Sequence, residues 1–186
     1  NVINSLAAVT LGLEMGLSFT EIQNGIQKYS GVRRRFEIKG IHNNVMVVDD
    51  YAHHPTEVKA TIQAAKTSWE RRILAVFQPH LFSRTRDFYK EFASSLELAD
   101  YVILTDIYPA REKPIPKITS KIIFDEIQKK MNGKCSLILD LDNLVQEIFK
   151  ILKSGDMVLT MGAGNIWRYS ESFYKDLIKL KEKEIF

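Results

Sequence analysis

Apolar positions along this chain follow two periods, and the points where one gives way to the other outline a fold. Runs at 36–41, 45–50, 72–77, 101–105, 135–139 and 157–161 are short, β-rich and bounded by turn residues, so they read as strands. The first two are separated by His42-Asn43-Asn44 and should pair as an antiparallel hairpin. Between the later runs, apolar residues recur at the spacing of one helix face. Val58, Ile62 and Ala65 line the first such helix; Phe88, Phe92 and Leu96 line the second, after a Ser83 cap. Ile123, Ile127 and Met131 line the third, Leu144, Ile148 and Leu152 the fourth, and Tyr169, Phe173, Leu177 and Leu180 the last. Strands buried on both faces and joined by helical crossovers predict a three-layer α/β domain. Its sheet would be mostly parallel and six-stranded, with one antiparallel edge strand and helices on both faces.

Upstream the pattern is purely helical. Ile3, Leu6, Thr10 and Leu13 share a face that ends near Gly16, and Ser18-Phe-Thr-Glu21 is a capping box opening a second helix over Phe19, Ile22 and Ile26. Arg33-Arg34-Arg35 then forms a polar joint, dividing the chain into 1–31 and 32–186. The first residue is not Met and already lies inside a helical pattern, so the expectation is a piece of something longer.

Composition narrows the class. The 186 residues are 45% hydrophobic and 26% charged with a net charge of +3, too weak to argue for nucleic-acid or membrane binding. The single cysteine, Cys135, opens an apolar run, which excludes a disulfide framework or a thiolate zinc site and makes the cytoplasm the natural compartment. No signal peptide or membrane-length apolar run occurs.

Ligands of open α/β sheets sit outside the carboxyl ends of the strands. Those ends carry Asp49-Asp50-Tyr51, Gln78-Pro79-His80, Asp106-Ile107-Tyr108, Asp140 and Gly162-Ala163-Gly164. The richest is the turn from Val47 to Glu57, where two acids, a phenol and two imidazoles precede Pro55, with His54 at the cap of the next helix. Arg84 lies in a first helical turn, against the dipole, and either faces solvent, pairs with Asp87, or holds an anion such as a carboxylate. Zinc held by His53 or His54 with His80 and Asp50 is a weaker reading, since adjacent histidines of an extended backbone point apart. Gly162-Ala163-Gly164 suggests a phosphate nest on slight evidence, and the strand-end aspartates suit helix caps. No GxxxxGK[ST], GxGxxG, GxSxG or HExxH occurs.

Several of these segments, in order, resemble the Mur ligase family: Asp49-Asp-Tyr-Ala-His-His-Pro-Thr-Glu57, Phe77-Gln-Pro-His80 with Ser83-Arg-Thr85, Tyr108-Pro-Ala-Arg-Glu112 with Pro114-Ile-Pro116, and Met161-Gly-Ala-Gly-Asn-Ile166. Asn1-Val-Ile-Asn-Ser-Leu-Ala-Ala8 and Arg34-Arg-Phe36 are similar too, so the resemblance spans essentially the whole chain. It implies a Rossmann-like C-terminal domain preceded by the last helices of a central ATPase domain, the remaining domains being absent. The implied activity uses ATP and Mg²⁺, with metal ligands mainly outside this chain, to activate the carboxylate of UDP-N-acetylmuramate as an acyl phosphate. L-alanine then attacks it in peptidoglycan synthesis, in the cytoplasm, and this chain alone would not turn over. The resemblance places Tyr51, His53, His80 and Arg84 around the alanine, with His53 orienting or deprotonating its ammonium. It places Asn1, Asn4, Arg35 and Asp50 on the ATP. At Leu81, where many relatives carry a basic residue, this sequence departs from the pattern. A free-standing flavodoxin-like binding module without catalysis is the alternative.

Overall fold

The computed structural model describes residues 2–29, 31–131 and 133–181. The chain divides into two compact units, Asn1–Val32 and Arg33–Phe186. The first contains α1 (Val2–Glu14) and α2 (Phe19–Lys28). The expected capping box forms: the Ser18 hydroxyl accepts from the Glu21 N–H, while the Glu21 carboxylate accepts from the Ser18 N–H at 2.9 Å. The two helices approach at Gly12, where a Cβ would lie 2.7 Å from Cδ1 of the buried Ile22. The apolar face expected on the first helix is not a buried one, for Ile3, Leu6 and Leu13 are exposed.

The second unit is built on a six-stranded sheet of β1 (Glu37–His42), β2 (Val45–Asp50), β3 (Ile73–Phe77), β4 (Tyr101–Thr105), β5 (Cys135–Ile138) and β6 (Met157–Met161), in the spatial order β1-β2-β6-β3-β4-β5. β1 pairs antiparallel with β2 at one edge, and the other pairs are parallel. The hairpin turn is Asn43-Asn44, with φ of 47° and 59°, values that asparagine tolerates and that match the twist of a two-residue hairpin loop. The helices are α3 (Pro55–Ser68), α4 (Phe82–Leu96), α5 (Lys121–Gln128), α6 (Leu144–Ile151) and α7 (Ile166–Leu177).

Alternate residues of the central strands feed two cores, which is why those strands read as continuous apolar runs. One face packs Val48, Ala75, Phe77 and Leu104 against Val58 and Ile62 of α3, Phe92 and Leu96 of α4, and Ile123 and Ile127 of α5. The other packs Val47, Val76, Ile103 and Val158 against Leu144 and Ile148 of α6 and Phe173 and Leu177 of α7. Two features of α4 differ from expectation. It starts at Phe82 with Leu81 in the cap position, so Ser83 does not cap it, and Phe88 interrupts it with φ −124° and ψ 17°. Met131 and Leu180 fall just beyond the ends of α5 and α7.

This winding creates a crevice. α3 and α4 leave β2 and β3 toward one face, whereas α7 leaves β6, which lies between them, toward the other. Register brings the carboxyl ends level, because Asp50 and Phe77 both pair with Met161. The turns after β2, β6 and β3 therefore emerge side by side.

Candidate functional site

The turn after β2 is rigid before it is functional. Pro55 opens α3, and Nδ1 of His54 accepts from the Thr56 N–H at 3.4 Å as its cap. One oxygen of Glu57 reaches back to the N–H groups of His53 and His54, at 2.9 and 3.1 Å. His54 is thus the structural member of the pair, its ring edge-on to Phe88 at 5.2 Å. His53 points elsewhere: its Nδ1 lies 2.9 Å from the Tyr51 carbonyl. The Tyr51 carbonyl and the Glu57 carboxylate, 3.2 Å from the same atom, only accept, so Nδ1 carries a proton and it is Nε2 that has the lone pair in the neutral ring.

The turn after β3 brings the second set. The His80 ring lies 6.0 Å from that of His53 and stacks on Tyr108 at 5.8 Å, while Tyr51 meets His53 edge-on at 5.1 Å. Nη1 of Arg84 is 3.5 Å from the His53 carbonyl and 3.5 Å from Nδ1 of His80. The competing local partner is not used, since Asp87 pairs with Arg86 at 2.7 Å. Burial, then the Arg84 charge and His53, pull the His80 pKa below its ordinary value. Because arginine only donates, Nδ1 of a neutral His80 is the acceptor and its Nε2–H is left to donate. Tyr51, His53, His80 and Arg84 therefore form one cluster. It offers a cation for a carboxylate, one imidazole lone pair that can take a proton, and one imidazole N–H.

The residues tied to ATP are placed differently. Asp50 lies at the same edge, but its oxygens accept from the Phe36 and Ala52 N–H groups, each at 2.7 Å, so it is a scaffold for the joint whatever else it binds. Arg35 is exposed, Asn4 is exposed on α1, and Asn1 lies outside the described residues. Among the described residues, no group of three or more His, Cys, Asp or Glu side chains is arranged to hold a metal, and so the zinc combination does not assemble.

Three structural supports escaped the sequence. Arg34, at φ 60°, pairs with the fully buried Asp49 at 3.3 Å, donates to the Gly162 carbonyl, and lies over the Tyr51 ring at 4.7 Å. Burial raises the Asp49 pKa, opposed by the Thr160 hydroxyl at 2.8 Å and by Arg34. Gln78, buried, donates to Asn165 at 2.9 Å and accepts from the Ile166 N–H at 3.2 Å, taking a donor at the start of α7 that a phosphate would need. The glycines there serve packing: a Cβ on Gly164 would lie 2.4 Å from Oε1 of Gln78 and 2.5 Å from Cγ of Tyr108. The third is Glu112, which bonds both the N–H and the hydroxyl of Ser83. Its only signal in the sequence was membership of the Tyr108-Pro-Ala-Arg-Glu112 segment. Asp140 acts as an expected cap, accepting from the Asp142 N–H at 3.0 Å, whereas Asp106 starts no helix and only braces its own loop through the Ile107 N–H at 2.8 Å.

The model of the Mur ligase, glutamate ligase domain, matches residues 34–164. A UDP-N-acetylmuramate–L-alanine ligase of Geotalea uraniireducens is 45% identical over 177 residues, covering 95% of this chain and 39% of that protein. The enzyme of the same name from Clostridium kluyveri is 46% identical over 173 residues, covering 93% of this chain and 38% of its own length. The crystal structure of UDP-N-acetylmuramate–alanine ligase from Thermotoga maritima superposes with a TM-score of 0.78 at 30% identity, over 97% of this chain and 38% of that one. The chain thus spans about two fifths of the length of the relatives it matches.

Proposed function

Since this chain belongs to the Mur ligase family, we propose that it presents the amino acid in a longer, cytoplasmic ligase that joins L-alanine to UDP-N-acetylmuramate during peptidoglycan synthesis. Residues 1–31 would be the last helices of a central ATPase domain and 32–186 the C-terminal domain. The observation that carries this reading is the single cluster of Tyr51, His53, His80 and Arg84, drawn from two turns on opposite sides of β6.

Its chemistry suits a zwitterion. Arg84 takes the alanine carboxylate, and Nε2 of His53 accepts a proton as the ammonium becomes the attacking amine. His80, neutral at pH 7, donates from Nε2 without adding a second positive charge beside that ammonium. ATP is the co-substrate, supplying the phosphoryl group that turns the muramate carboxylate into a reactive acyl phosphate. The amine nitrogen bonds to the carbonyl carbon, a tetrahedral intermediate forms, and the C–O bond to phosphate breaks. The exposed Arg35 fits a phosphate, and each Asp50 oxygen keeps a lone pair toward a ribose or a water. Asn1 and Asn4 would meet the adenine. For Mg²⁺ the described residues form no metal-binding group, so no ligand is assigned to it and no step runs through it.

The test is Arg84→Ala in the full-length protein. KM for L-alanine should rise by roughly a hundredfold, as expected for losing one partner of a desolvated ion pair, while KM for ATP stays within about threefold. Equal movement of both constants, or an unchanged alanine KM, would refute the reading.

A further inference from the structure

The turn that carries His80 and Arg84 is not held by its neighbours in sequence. α4 begins with Leu81 in the cap position at φ 73°, and no side chain there accepts from a first-turn N–H. A helix start normally needs such an acceptor. Glu112, from the long connection between β4 and α5, provides it: one oxygen accepts from the Ser83 N–H at 3.0 Å and the other from the Ser83 hydroxyl. The same connection grips the turn at three further points. The Tyr108 N–H donates to the Pro79 carbonyl at 2.8 Å, the Leu81 N–H donates to the Tyr108 carbonyl at 3.0 Å, and the Tyr108 ring stacks on His80. An anion at this helix start also offsets Arg84, a cation set against the dipole of its own helix. The Ser83 hydroxyl and N–H hold the Glu112 carboxyl below its ordinary pKa, so it stays ionised through neutral pH.

We propose that Glu112 is a positioning residue: its carboxylate is the cap that α4 lacks locally, and through that cap it sets the aim of Arg84 and His80 at the amino acid. The proposal deepens the amino-acid reading of this site and rests on it. In the full-length protein, Glu112→Ala should raise KM for L-alanine by roughly tenfold, the scale of a lost charged hydrogen bond, and leave KM for ATP within about twofold. Glu112→Gln, which keeps an acceptor for the Ser83 N–H, should fall between wild type and Glu112→Ala. If Glu112→Ala does not fold, Glu112→Gln and Ser83→Ala decide the matter by the same criterion. Parallel rises in both KM values, or a lower Tm with the alanine KM unchanged, would make Glu112 a mere structural prop and overturn the proposal. Arg84→Ala run alongside separates the failures. Alanine binding lost in Arg84→Ala but intact in Glu112→Ala overturns the role of Glu112. Alanine binding intact in both overturns the underlying reading, and the proposal with it.

Discussion

An imidazole that burial and a neighbouring guanidinium keep neutral becomes a liability in acid. The folded His80 pKa lies below the unfolded value, so the unfolded chain binds the proton more readily and stability falls as pH drops below about 6.5. His80→Gln should remove that contribution. The loss of urea stability between pH 7.5 and pH 5.5 should be smaller in the variant than in the parent, and an equal loss would show that His80 is not the responsible group. Tyr51, His53 and His80 could be picked out beforehand because they follow strand ends, and Arg84 because it is a cation in a first helical turn; the family resemblance then grouped the four. The supports could not. Arg34 meets Asp49 across 15 positions, and Ser83 meets Glu112 across 29, with nothing in the local pattern to connect them. Arg34 read only as part of a polar joint, yet it ties that joint to the sheet through the buried Asp49 carboxylate, which otherwise has the Thr160 hydroxyl as its hydrogen-bond donor.

Elements were legible where one strong periodicity sets them. β2, β4 and β6 fall on the expected positions, and α3 begins at the proline with the expected histidine cap. α4 went astray at its start because serine is a good cap in isolation, whereas here a distant carboxylate has displaced it. The glycines before α7 suggested a phosphate nest, but their neighbours show a packing constraint. Gly164→Ala would drive a methyl into Gln78 and Tyr108, side chains that cap α7 and support His80. We expect it to destabilise the protein by about 1–3 kcal/mol, the usual cost of overpacking, measured as a lower urea midpoint. It should also weaken alanine binding in the full-length protein. A stability unchanged within error would mean that the two elements part without strain.

At the scale of the molecule, the pattern gave the number of strands and the antiparallel edge, but not that β6 lies between β2 and β3. Strand order follows from which helices pack on which face, and periodicity does not report that. The cluster is consequently assembled by one strand while its residues come from the strands on either side. The 186 residues contain no GxxxxGK[ST] segment, so this chain by itself should release no alanine-dependent ADP when given ATP, UDP-N-acetylmuramate and L-alanine. Any such release above a protein-free control would contradict the division of labour proposed here.

The central place of β6 has a consequence in time. Among the described residues it is the last strand in chain order, and until it is made, β2 and β3 each lack the neighbour that both pair with in the finished sheet. A nascent chain halted before Met157 exposes two apolar strand edges, the kind of surface that captures other chains. During synthesis, then, His53 and His80 remain strangers, and they become neighbours only once nearly all of this sequence has been made.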